Sequence, residues 1–164
     1  MIKQATLQDF DYFYSLYMHP QVNPYLLYEP MNEESFRPIF EELLYQGVLY
    51  LFEAEGQVVG MFKLIHLKHR NSHIGYLGGV AIHPDFAGKG YGQQMMEAVL
   101  VLGKQIGLLR IELSTATTND KAIKLYERVG FEQEGVLRNY THLKSEGRFL
   151  DEVMMSYLYQ TPTD

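Results

Sequence analysis

The strongest constraint on this chain is a segment just past its middle, Val80-Ala81-Ile82-His83-Pro84-Asp85-Phe86-Ala87-Gly88-Lys89-Gly90-Tyr91-Gly92. A strand-forming stretch runs into three glycines within five residues, and an apolar pattern of helical period begins at once. A strand that empties into a glycine loop and then a helix gathers free backbone N–H groups and the positive end of a helix dipole at one point. The missing side chains let that point close on an anion, so the segment reads as a pyrophosphate cradle. A tight turn that needs positive φ would use the same glycines. Two other nucleotide loops fit less well. A P-loop needs Ser or Thr after its lysine, and Lys89 is followed by Gly90. A dinucleotide fingerprint counted from Gly88 needs glycine or alanine where Gln93 stands, and it opens a βαβ domain instead of lying past mid-chain.

Around this segment the apolar period switches repeatedly between that of strands and that of helices. Residues 2–6 are predicted as a short strand, and Thr6 or Asp9 as the cap of a helix to about Met18. A second helix is expected from Glu33 to Tyr45, ended by Gly47. Val48–Glu53 and Val58–Leu67 form a hairpin about Glu55-Gly56, and His73–His83 is a further strand whose Gly75, Gly78 and Gly79 signal a bulge. A helix from Gly92 to Ile106 precedes a strand at Leu109–Leu113. A short helix at Asn119–Val129 and two strands near Gln133–His142 and Phe149–Leu158 complete the pattern. The order is β-α-α-β-β-β-α-β-α-β-β, an α/β domain with mixed pairing, taken as one unit over residues 1–160 with a frayed end.

Bulk properties remove several classes. A net charge of −6 with no basic cluster argues against nucleic-acid binding, and suits either cationic small substrates or plain solubility. The chain has no cysteine, which excludes disulfides, thiolate nucleophiles and cysteine-ligated metals. His66, His69, His73 and His83 match no metal spacing, so no metal is expected. The start has no long apolar run and no stretch approaches the ~18 residues of a membrane span, so a soluble cytoplasmic protein without a membrane partner is expected.

A second element lies some thirty residues beyond the loop: Asn119-Asp120-Lys121-Ala122-Ile123-Lys124-Leu125-Tyr126-Glu127-Arg128-Val129-Gly130-Phe131. It resembles the pattern N-x-x-A-x-x-L-Y-x-x-x-G-F of the GNAT superfamily of N-acetyltransferases at every specified position. The loop Ala87-Gly88-Lys89-Gly90-Tyr91-Gly92 resembles that family's Q/R-x-x-G-x-G/A, with Ala87 in place of the leading Gln or Arg. The two motifs, in order, cover roughly residues 73–131. The tail Phe131–Arg138 resembles the bacterial branch that acts on ribosomal-protein N-termini, amino acids and polyamines.

The resemblance implies the GNAT acyl-CoA N-acyltransferase fold, a mixed, mostly antiparallel sheet of about seven strands flanked by about four helices. It also implies acetyl-CoA as co-substrate and direct transfer of the acetyl group to the primary amine of a small molecule or protein N-terminus. Val80, Ala81 and Ile82 would then pair with pantetheine, and Gly88, Lys89, Gly90, Tyr91, Gly92 and Gln93 would hold the pyrophosphate. Asn119 would cap its helix and touch the pantetheine arm. Tyr126, two turns further along the same face, would stand near the thioester sulfur and protonate the leaving thiolate. The bulge at Gly78-Gly79 would free N–H groups for the carbonyl.

The general base is left open between Glu112, which alternates with Arg110 as a structural ion pair would, and a water relay. Tyr28, Glu29 and Tyr140 are candidates for holding the acceptor through charge and cation–π contact. A homodimer is compatible with this reading. A non-catalytic acyl-CoA-binding regulator and another nucleotide-cofactor enzyme are the alternatives.

Overall fold

Alternating apolar residues in the strands and apolar stripes on the helices build one sheet with a hydrophobic core on each face. The computed structural model describes residues 1–160, and the frayed end expected beyond them lies outside the described residues. In chain order the elements are β1 (Ile2–Gln4), α1 (Phe10–Tyr17), α2 (Glu33–Gln46), β2 (Leu49–Ala54), β3 (Gln57–His66), β4 (Ile74–Ile82), α3 (Tyr91–Gln105), β5 (Arg110–Ala116), α4 (Asp120–Arg128), β6 (Glu132–Leu143) and β7 (Arg148–Leu158). The order is the one expected from the periodicities. The Asn32 side chain accepts from the Ser35 N–H at 2.8 Å to start α2, and Gly47, at φ 69°, ends it in the left-handed conformation. Among the described residues no helix is long and apolar enough to cross a membrane.

The seven strands form one mixed sheet in the order β1-β2-β3-β4-β5-β7-β6, antiparallel except for β4 with β5. Pleating sends Leu49, Leu51 and Met61 to one face, where Phe13, Tyr17, Phe36 and Phe40 of α1 and α2 cover them. It sends Phe62, Leu77, Ile111 and Leu113 to the other, against Met95, Met96 and Val99 of α3 and Tyr126 of α4. One expectation stopped short. The strand predicted to end at Leu113 continues to Ala116, because Ser114, Thr115 and Ala116 are carried on by their ladder with Met154, Val153 and Glu152 of β7. Three residues without an apolar pattern become strand through pairing alone.

Two irregularities in the middle of the sheet set up everything that follows. Met61 faces Ala81 and Lys63 faces Gly78, so Gly79 and Val80 together oppose Phe62 in a bulge, with Gly79 at φ 57°. The parallel pairing of β4 with β5 stops at Tyr76 and Glu112. Beyond that point β4 stays with β3 and β5 stays with β7, so the two strands part and leave a wedge between them.

Candidate active site

The first part of the site is the loop into α3. Among the described residues, the backbone N–H groups of residues 88–93 have no protein acceptor, and the ladder of α3 begins only where the Gln94 N–H reaches the Gly90 carbonyl at 3.2 Å. Gly88 and Gly90 adopt φ 75° and 81°, and a Cβ placed on either would meet nothing within 4 Å. Six consecutive donors therefore face open space at a helix N-terminus, the geometry that holds a phosphate. The cleft there encloses about 480 Å³ and is lined by Phe86, Gly88, Gly90, Gln93, Lys121 and Arg128 among others. Gly92 lets α4 come close, since its Cβ would stand 3.2 Å from a Leu125 methyl. Lys89 takes a different position, with its ammonium 5.7 Å from the centre of the Phe86 ring. Tyr91 turns its ring inward, and its hydroxyl donates to Glu55 at 2.9 Å, so it offers the loop only its backbone N–H.

The second part is the wedge between the parted strands, about 340 Å³, walled by Leu77–Ile82 on one side and Leu113–Thr115 on the other. Val80, Ala81 and Ile82 line both this wedge and the first cleft. Asn119 caps α4 by accepting from the Ala122 N–H at 3.4 Å, while its amide donates to the Thr115 hydroxyl, also at 3.4 Å. That pair ties the end of β5 to the start of α4. Tyr126 stands at the junction of the two clefts. Its ring is buried against Phe131, and burial pushes its phenol up to about 12, with no hydrogen bond offsetting the desolvation.

The third part, about 330 Å³, continues from the bulge between β4, β5 and the β6–β7 pair. Tyr76, Ser114, Tyr140 and Glu152 line it together with Lys63. The Ser114 hydroxyl donates to one Glu152 oxygen at 2.8 Å and the Thr141 hydroxyl to the other, so that carboxylate is held in a fixed orientation. Lys63 is only 6% exposed, and desolvation lowers its ammonium below the usual lysine range.

The residues singled out in the sequence fall into distinct places. The loop and β4 residues, Asn119 and Tyr126 come together along one groove, and Tyr140 lines its far end. Glu112 lies outside that lining, held by the Arg110 Nε at 3.0 Å, and Arg110 also pairs with Glu134. Tyr28 packs behind Lys63 against Tyr17, with ring centres 5.5 Å apart. Glu29 accepts from the N–H groups of Lys144 and Ser145 at 2.7 and 3.4 Å, which pins its loop to the β6–β7 turn. The Ser145 hydroxyl, ahead of those N–H groups, holds its carboxyl below the usual range. Sequence reasoning passed over Lys63, Glu152, Lys121 and Arg128. Lys63 could have been noticed as the lone charge in the apolar run Val58–Ile65, and Lys121 and Arg128 as cations two turns apart on one face of α4. Glu152 carried no such signal.

A cradle of free N–H groups, an unpaired strand edge and a polar end pocket, joined in one groove, define an acyl-CoA-dependent transferase. The family profile for acetyltransferases of the GNAT family matches residues 10–131. The chain belongs to that family, and its co-substrate is acetyl-CoA. It is 26% identical to the uncharacterized N-acetyltransferase p20 of Bacillus licheniformis over 96% of this chain and 91% of that one. It is 31% identical to a spermidine N(1)-acetyltransferase of Vibrio cholerae over 66% of this chain and 61% of that one. The fold is similar to that of a crystal structure of Vibrio cholerae spermidine N-acetyltransferase in complex with CoA and spermine, with a TM-score of 0.84 at 21% identity over 96% of this chain and 94% of that one.

Proposed function

We propose that this protein moves the acetyl group of acetyl-CoA directly to the primary amine of a small molecule, of amino acid or polyamine type, or of a protein N-terminus. The observation that carries the reading is the continuity of the groove: Val80–Ile82, Asn119 and Tyr126 line the first two clefts, and Gly78, Gly79, Ser114 and Thr115 line the second and third. Donor and acceptor thus meet beside the bulge.

Acetyl-CoA, when bound, supplies an activated thioester carbonyl. The N–H groups of residues 88–93 would hold the pyrophosphate, with Lys121 and Arg128 adding positive charge from α4. The free edge of β4 at Val80–Ile82 would take the pantetheine amides as an added strand. The bulge at Gly79-Val80 turns backbone donors out of the ladder, where they can stabilise an oxyanion. Tyr126 would donate its proton toward the sulfur as charge grows there. At about 12 the phenol stays protonated throughout the physiological range.

The amine must arrive without its extra proton, and a carboxylate assists that loss. Glu112 would have to act through water from its ion pair with Arg110, whereas Glu152 lines the acceptor cleft itself. A screen of amines that follows thiol release tests the reading. Release with one or more amines is expected; activity on hydroxyl acceptors alone, or CoA binding without release, would overturn it.

A further inference from the structure

Among the described residues, Lys63 is the one buried charged side chain. A buried cation is costly unless something compensates it, and compensation normally comes from a carboxylate or several hydrogen bonds. Its ammonium has neither: no ion pair within 4 Å and no side-chain hydrogen bond involves it among the described residues, and the aromatic ring it stands over is that of Tyr28, with its centre 5.5 Å away. Its stem runs past the bulge. A Cβ on Gly78 would lie 3.5 Å from the lysine Cε, and one on Gly79 would lie 3.8 Å from its Cβ. The side chain belongs to the wall of the third cleft, the same cleft that holds the fixed Glu152 carboxylate.

We infer that the acceptor carries an anionic group, a carboxylate, that Lys63 holds while the amine lies on the Glu152 side of the cleft. This rests on the acetyl transfer proposed above and chooses among its acceptors. A free amino acid presents one charge of each sign within a few bonds, which matches one cation and one anion in a cleft of about 330 Å³. A polyamine brings only positive charge and would set a second ammonium against a desolvated lysine, which costs more than it gains. The carboxylate also supplies the partner that Lys63 lacks, and a charge-assisted hydrogen bond in a dry site is among the stronger polar contacts.

The test compares, by thiol release from acetyl-CoA, the free L-amino acids, their amides and spermidine. With the natural sequence, at least one amino acid is expected to be used with a KM roughly 10-fold or more below that of its amide and of spermidine. Lys63→Met should raise that KM on the order of 10–100-fold, toward the amide's, and leave the amide's KM where it was. Lys63→Arg should keep the preference for the acid. CoA affinity by calorimetry should be the same in all three proteins. Amides or spermidine used as well as amino acids, or an equal effect of Lys63→Met on acid and amide, would overturn the inference. Thiol release with spermidine or a peptide N-terminus and with no amino acid would overturn it too, and would leave acetyl transfer standing. No release with any amine, while CoA still binds, would remove both.

Discussion

At the scale of the residue, Tyr126 belongs to the core and to the groove at once. Its ring centre lies 6.0 Å from that of Phe131, while the residue lines both of the first two clefts. Tyr126→Phe removes only the hydroxyl, so packing should survive. We expect kcat to fall by ~10²–10⁴ with acetyl-CoA affinity unchanged by calorimetry, as for a group that acts only in the transition state. Wild-type kcat in that variant would return Tyr126 to a core role. The two carboxylates near the acceptor end should separate in the same way. Glu152→Gln should lower kcat by ~10-fold or more, because its carboxylate lines the cleft. Glu112→Gln should leave kcat nearly unchanged and cost a little stability, since what it loses is the contact with Arg110. A large fall of kcat in Glu112→Gln, with Glu152→Gln unaffected, would reinstate Glu112 as the base.

At the scale of the element, the loop into α3 and the bulge in β4 are backbone devices, and glycine is the residue that permits each. Gly90→Val adds a side chain whose Cβ has no protein atom within 4 Å, so the chain should still fold, at a strain of ~1–2 kcal/mol from the left-handed backbone. The new methyl groups would crowd the loop proposed to hold the pyrophosphate, and CoA affinity should drop at least ~10-fold by calorimetry; an unchanged affinity in the folded variant would remove the cradle from this loop. At Gly79 the neighbour matters as well as the backbone. A Cβ there would lie 2.5 Å from the Tyr17 hydroxyl. Gly79→Ala should therefore be clearly destabilising to urea, and adding Tyr17→Phe should recover part of the loss while leaving the strain of φ 57°. Additive effects of the two changes would mean that the hydroxyl is not what the methyl group meets.

At the scale of the whole molecule, burial of tyrosine links stability to alkaline pH. Burial pushes the Tyr126 phenol up to about 12, and those of Tyr12, Tyr17 and Tyr159 higher still. Above ~10 the unfolded chain releases phenolic protons that the folded chain keeps, so the unfolded state binds fewer protons and stability falls as pH rises. The contribution is complete below ~10 and is lost on the way to the folded values, with Tyr126 alone accounting for up to ~3 kcal/mol. Urea midpoints measured from neutral pH into this range should decline, and Tyr126→Phe should decline less steeply; parallel curves would contradict the assignment. The same scale separates what was legible in the residues from what was not. The glycine loop, the helix of Asn119 and Tyr126, and the order of strands and helices were all readable, because they are set by contacts within a few residues: caps, periods and left-handed glycines. The extension of β5 to Ala116 was not, since Ser114, Thr115 and Ala116 become strand only by pairing with β7. Nor were the parting of β4 and β5, the company of Lys63 and Glu152 in one cleft, or the tie of Glu29 to Lys144, residues that lie far apart in the chain. Local chemistry determined the glycine loop proposed to hold the cofactor's phosphates; the cleft proposed for the acceptor exists only once β3, β4, β5 and β7 are laid side by side, because no short segment holds both of its charges.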